Sequence, residues 1–261
     1  MALIHCDFFS EILNVSTSMT VILPQNTTAQ IGMDNKKSSG KHQTLYLLHG
    51  FSDDDTIWTR RTSIERYAAP LGLAVVMPQV HHSFYTDMVY GSKYWTFLTE
   101  ELPVIARSFF PLSDKREDNF VAGLSMGGYG AFKWALRHPD KFASAASLSG
   151  VTDIVARTKK AEADPISHAF KLIFGDKAIA DTDEDLLWLL KQGDKEAALK
   201  PSLYQCCGTE DLLFQDNLKF KAICESTSYN LTADFSPGEH EWGYWDSKIQ
   251  DVLKWLPLKT P

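Results

Sequence analysis

The chain has 261 residues, 44% of them hydrophobic, and a formal net charge of -7 with both signs spread along its length. That is enough apolar material for one large core, so a single domain spanning residues 1–261 is expected. The acidic balance argues against nucleic acid as a partner, and no basic run marks a membrane surface.

Four cysteines, Cys6, Cys206, Cys207 and Cys224, form no C-x-x-C pair and no cluster with histidine at metal-ligand spacing. Neither a metal site nor a disulfide framework is expected from them. The first residues, MALIHCDFFSEIL, lack a basic region followed by an apolar run and a small-residue cleavage site, so a cytoplasmic setting is expected. A long stretch free of Asp, Glu, Lys and Arg, Tyr67 to Thr86, contains Pro70 and Pro78 and reads as a strand with its flanks, not a membrane span.

In chain order, the short apolar runs FFSEIL and MTVIL within residues 5–23 suit an antiparallel pair at a sheet edge. Gln25 to Gln43 is polar and reads as an exposed loop. Thr44 to Leu48 is a buried-strand run that ends in His49, Gly50 and Phe51. Thr56 to Ala69 has helical spacing, Leu73 to Met77 is another buried strand, and an aromatic, histidine-rich segment wanders from Val80 to Tyr94. Trp95 to Phe110 has a helical apolar period interrupted by Pro103, which marks a kink or the true start of the helix. Phe120, Val121 and Ala122 suit a buried strand and Tyr129 to Arg137 permits a helix; Phe142 to Leu148 is a strand of small residues. Residues 151–200 break the alternation and read as an inserted helical cap near a site mouth, including the helix DEDLLWLLKQ. Ser202 to Cys207 resumes the sheet, with Cys206 and Cys207 pointing to opposite faces as core packing. Leu218 to Glu225 is a helix, Leu231 to Phe235 the last strand, and Tyr244 to Leu256 a closing helix stopped by Pro257. Strands alternating with helices predict a mostly parallel sheet flanked by helices, the α/β class.

One junction has chemical content. Between the strand and helix that flank it, the chain reads Gly123, Leu124, Ser125, Met126, Gly127, which is G-x-S-x-G. A serine on a sharp strand-to-helix turn crowds the residues two before and two after it, and only small side chains fit there. Its hydroxyl then projects from the sheet's carboxyl end, beside the first N–H groups of the helix, which can receive an oxyanion. The bland alternative is a glycine-rich turn whose serine caps the helix.

A serine is a weak nucleophile at neutral pH and needs a base. In an α/β-hydrolase the partners follow in the order serine, acid, histidine, each in a loop after a strand. His240 lies after the strand TADFS and before the closing helix, in the right order. His81 and His82 precede the serine, His49 is expected to be structural, and His138 ends the helix after Ser125. For the acid, Glu210 and Asp211 are adjacent and Asp216 is a third candidate; the G-x-x-D spacing after the strand favours Asp211. The H-G-x run after the strand Thr44–Leu48 points to the Phe51 N–H as an oxyanion donor. Of the aromatics near these loops, Trp58, Tyr85 and Trp242 are expected to line a substrate pocket, the rest to pack.

Together LYLLHGFSDDDTIW, SFYTDMVYGSKYWTFLTEELP, FVAGLSMGGYGAFKWAL and GEHEWGYW resemble the esterase D family, which includes S-formylglutathione hydrolases, with the greatest likeness to bacterial tributyrin esterases. The resemblance spans nearly the whole chain and is weakest in residues 24–43 and 151–200. It implies an α/β-hydrolase fold, a carboxylesterase acting on short acyl esters without cofactor or metal, and a homo-oligomer. It assigns Ser125 as nucleophile, Asp211 as acid, His240 as base, and Phe51 and Met126 as oxyanion donors. Members that hydrolyse S-formylglutathione often carry a cysteine just past the oxyanion glycine. Here that region reads Phe51, Ser52, which favours the simpler esterase. An acyltransferase, a sugar-ester deacetylase or a catalytically silent binding protein on the same fold are the rival expectations.

Overall fold

The sheet is built from runs that are apolar on both faces. Thr44–Leu48 (β3), Ala74–Pro78 (β4), Asn119–Leu124 (β5), Ser144–Leu148 (β6) and Ser202–Gly208 (β7) are buried along their length, apart from the half-buried Ser202. Strands covered on both faces need no polar alternation, and they pair in parallel. Leu231–Ser236 (β8) extends the parallel set, and Ala2–Ser10 (β1) and Val15–Leu23 (β2) complete it as an antiparallel hairpin. The order is β1-β2-β4-β3-β5-β6-β7-β8. These coordinates are a computed structural model that describes residues 1–25, 27, 31, 40–160, 166–196 and 198–259. The expected loop from Gln25 to Gln43 therefore lies largely outside the described residues.

Alternate residues of each strand feed two cores. Tyr46, Leu48, Val76, Val121 and Ala145 face one side, with Met126–Arg137 (α5), Leu102–Phe109 (α4), Leu186–Glu196 (α8) and Phe214–Cys224 (α9). Leu45, Leu47, Val75, Phe120, Ala122 and Cys206 face the other, with Ile57–Arg61 (α1), Ile64–Ala68 (α2) and Trp242–Trp255 (α10). This is the three-layer α/β arrangement expected. All four cysteines are free thiols, three of them buried.

Several boundaries differ from expectation for local reasons. FFSEIL does not run as one strand: β1 stops at Ser10, whose hydroxyl accepts the Leu13 N–H at 3.0 Å and starts the turn. The expected helix from Thr56 to Ala69 is split, because Thr62 is extended. Its hydroxyl donates to the Trp58 carbonyl at 2.6 Å and accepts the Ile64 N–H at 3.1 Å, ending α1 and starting α2. From Tyr94 the chain forms a short helix, Tyr94–Thr96 (α3), then a wide π turn over Phe97–Glu101 that opens into α4. Pro103, which has no N–H to give, sits in the first turn of α4, where none is needed.

The described residues of 151–200 form three helices between β6 and β7: Ile154–Lys160 (α6), Ser167–Phe174 (α7) and α8. Asp185 starts α8 by accepting the N–H groups of Leu187 and Trp188 at 3.0 and 3.2 Å.

Candidate active site

Ser125 sits between β5 and α5 at φ 53°, ψ -117°, a conformation that costs a non-glycine residue about 1–3 kcal/mol. Neighbours hold it there. Its N–H donates to the Leu148 carbonyl at 2.9 Å, and its carbonyl accepts the N–H groups of Tyr129 and Val151 at 3.1 and 3.2 Å. The flanking glycines are a matter of space. A Cβ on Gly123 would stand 2.4 Å from the Gly127 carbonyl, and one on Gly127 would stand 2.5 Å from the Leu48 carbonyl oxygen. Met126 is the first residue of α5, so its N–H has no carbonyl partner within the helix and adds to the positive end of the helix dipole.

Two loops at the carboxyl ends of β7 and β8 meet this serine. His240 Nε2 lies 3.1 Å from Ser125 Oγ, and His240 Nδ1 lies 2.8 Å from Asp211 Oδ2. A carboxylate only accepts, so Nδ1 carries the proton and Nε2 is free to accept from the serine hydroxyl. The Asp211 side chain is wholly buried and its other oxygen accepts the Leu213 N–H at 2.8 Å. Burial pushes the Asp211 carboxyl up, but the His240 hydrogen bond and charge and the Leu213 N–H outweigh it, so the net shift is downward. The ring of Trp245 stands edge-on to His240 at 4.8 Å and 87°.

The two rival acids have other partners. Glu210 accepts the Gly238 N–H at 2.6 Å, and the Glu210 N–H donates to the Gly238 carbonyl at 3.1 Å. It thereby ties the loop of Asp211 to the loop of His240. Asp216 pairs with Arg157 at 2.8 Å.

The turn after β3 lies alongside. His49 is buried: its Nε2 accepts the Val80 N–H at 3.2 Å and its Nδ1–H donates to the Gly50 carbonyl at 2.7 Å. Burial lowers its pKa to about 4, so the ring is neutral and acts as a brace. The Phe51 ring stacks on His82 at 4.3 Å and 18°. A cavity of about 420 Å³ opens between this turn, Ser125, His240, Trp242 and Trp245. Phe51 and Trp242 line it.

Trp58 and Tyr85 do not. Trp58 is fully buried, donates Nε1–H to the Leu48 carbonyl at 3.1 Å, and meets Trp242 edge-on at 5.4 Å. Tyr85 is fully buried and donates its hydroxyl to the His49 carbonyl at 2.9 Å, its ring filling the space over Gly130. Trp58 comes from α1 and Tyr85 from the loop after β4, both beside the motifs, but large rings there are taken up as supports beneath the site. Among the described residues of 151–200 none lines this cavity, although Val151 bonds the Ser125 backbone. The lining that sequence reasoning missed includes Asp53 and Trp245. The i, i+3 spacing of Trp242 and Trp245 on one helix face was the available signal for the second.

A second unanticipated feature lies behind the elbow helix. Lys133 is fully buried in α5 and donates to the Tyr85 carbonyl at 3.0 Å, Thr86 Oγ1 at 3.0 Å and Glu184 Oε2 at 2.5 Å. Tyr129 donates its hydroxyl to Glu184 Oε2 at 2.8 Å. Burial lowers the Lys133 pKa to about 8 despite the Glu184 charge beside it. This network pins the inserted segment to the helix behind Ser125. Among the described residues no group of three or more His, Cys, Asp or Glu could hold a metal ion, and no helix is long and apolar enough to cross a membrane.

The profile of the Esterase family matches residues 10–256. An acetyl esterase of Caldicellulosiruptor saccharolyticus is 28% identical over 262 residues, covering 98% of each chain. Among solved structures, FphF, a fluorophosphonate-binding serine hydrolase of Staphylococcus aureus, superposes with a TM-score of 0.88 at 37% identity, again over 98% of both chains. The S-formylglutathione hydrolase FrmB of Staphylococcus aureus gives 0.85 at 36% identity, with the same coverage.

Proposed function

The chain belongs to the Esterase family and is a carboxylic ester hydrolase of the serine type; from that premise we propose that Ser125, His240 and Asp211 are its catalytic triad. The observation that carries this reading is one imidazole at 3.1 Å from a strained serine hydroxyl and 2.8 Å from a buried carboxylate. His240 takes the Ser125 proton as Oγ attacks the ester carbonyl. The N–H groups of Phe51 and Met126 hold the oxyanion, Asp211 steadies the imidazolium without taking its proton, and the alcohol leaves with the proton from His240. Water then repeats the sequence on the acyl-enzyme and frees the acid. No cofactor enters the cycle. Ser125→Ala is expected to lower kcat by several orders of magnitude with the thermal midpoint kept, and to abolish labelling by a fluorophosphonate probe. Retained hydrolysis or labelling in that variant would remove the assignment.

The acyl group is proposed to be short, of the acetyl to butyryl class, as in tributyrin. Support comes from the modest cavity of about 420 Å³ lined in part by Phe51, Trp242 and Trp245, and from likeness to an acetyl esterase. A panel of acyl esters from acetyl to long chain, with S-formylglutathione included, tests this. Turnover that rises with chain length beyond eight carbons, or that is greatest for the glutathione thioester, would count against it. The same reading includes a single domain, self-association and a cytoplasmic setting. Exposed Leu3, Phe9 and Val15 on the edge hairpin and four free thiols are consistent with the last two. Light scattering over a concentration series tests the association.

A further inference from the structure

One residue of the cavity beside Ser125 has no task in the proposed cycle. Asp53 closes the turn after β3: its N–H donates to the Gly50 carbonyl at 3.3 Å, and its Oδ2 accepts the Gly50 N–H at 3.2 Å. The carboxylate lies so close beneath this turn that a Cβ on Gly50 would stand 2.7 Å from Oδ2. It borders the cavity together with Phe51, Ser125 and His240.

No Lys or Arg is among the residues lining the cavity: Arg60 and Arg61 act on the Asp53 charge from outside that lining, and Arg60 makes its ion pair with Asp54, at 3.1 Å. Glu241, the other lining carboxylate, accepts the N–H groups of Gly243 and Tyr244 at 2.8 and 2.9 Å, so its charge faces the positive end of α10. Asp53 is half-buried, and a charge there is screened less than one at the open surface.

We infer that Asp53 is a specificity residue that filters substrates by charge, disfavouring esters whose leaving group is anionic and favouring neutral and cationic ones. This rests on Ser125 being the nucleophile. The substrate's charge is present from encounter to acyl transfer, so repulsion lowers kcat/KM and not one step alone.

Three matched acetates test it: phenyl acetate, 3-acetoxybenzoate and 3-(trimethylammonio)phenyl acetate. Asp53→Asn keeps an oxygen for the Gly50 N–H and removes only the charge. Each kcat/KM is divided by that for phenyl acetate, then compared between variant and wild type, which cancels intrinsic leaving-group reactivity. At low ionic strength the variant should raise the anion-to-neutral ratio roughly fivefold to tenfold and lower the cation-to-neutral ratio. In the wild type, about 1 M salt should raise the anion-to-neutral ratio in the same direction. Ratios that stay within twofold in the variant, or that ignore salt in the wild type, overturn the inference while leaving the esterase reading intact. Phenyl acetate hydrolysis that survives Ser125→Ala sinks that reading and the inference together.

Discussion

On the proposed mechanism His240 needs its two ring nitrogens in opposite states, one giving a hydrogen bond and one receiving. The buried Asp211 sets this by accepting at Nδ1, 2.8 Å away. In Asp211→Asn the amide can donate to Nδ1, which moves the ring proton to Nε2 and blocks it as a base. On the proposed mechanism kcat should fall roughly 10³–10⁴-fold with little change in KM, read by steady-state hydrolysis of a short acyl ester. A loss below tenfold would exclude Asp211 as the acid. Order in the chain was enough to point to His240, but Glu210 and Asp211 are neighbours with the same chemistry. Their difference lies in what each side chain meets: Asp211 turns inward to His240, and Glu210 takes the Gly238 N–H on the outside.

At the scale of elements, the elbow depends on close backbone approach. A methyl on Gly127 would press on the Leu48 and His49 carbonyls at 2.5 and 2.7 Å, which are backbone and cannot swing aside. Gly127→Ala is therefore expected to cost more than about 2 kcal/mol and to displace the turn that holds Phe51. Chemical denaturation would show the first effect and kcat the second; an unchanged midpoint would refute the crowding. The inserted segment is held by a different device. Glu184→Leu leaves the buried Lys133 ammonium without its counter-charge and should cost about 3 kcal/mol in urea unfolding. Adding Lys133→Met should recover at least about 1 kcal/mol, and simple additivity of the two would show that the pair is not coupled. The strands were legible because each is a short apolar run of its own. The split at Thr62 was not, since a threonine that bonds its neighbours' backbone looks like any other helix-compatible residue.

Across the whole molecule, stability should follow the neutral His49. Its folded pKa of about 4 lies below the ordinary 6.5, so the unfolded chain binds a proton more readily. This contribution, on the order of 3 kcal/mol, is fully present above about pH 6.5 and is lost as the pH falls towards 4. The depressed carboxyl of Asp211 adds a further loss at lower pH, by the same sign. Unfolding midpoints from pH 7.5 to 4.5 should drop steeply in the wild type and less in His49→Gln. A flat wild-type profile in that range would show that His49 is not held neutral.

Hydrophobic run length and the glycines around Ser125 were sufficient for the fold class, the order along the chain of the loops that carry Ser125, Asp211 and His240, and the nucleophile candidate. These are local properties: an apolar run reads as a strand wherever it sits, and a G-x-S-x-G turn admits little else. Only the tertiary structure decided which rings face the cavity, sending Trp58 and Tyr85 beneath it and bringing Asp53 and Trp245 to it. It alone joined Lys133 to Glu184, 51 residues away. Burial belongs to the assembled sheet and its layers, and a partner that satisfies a buried charge can come from any distance along the chain.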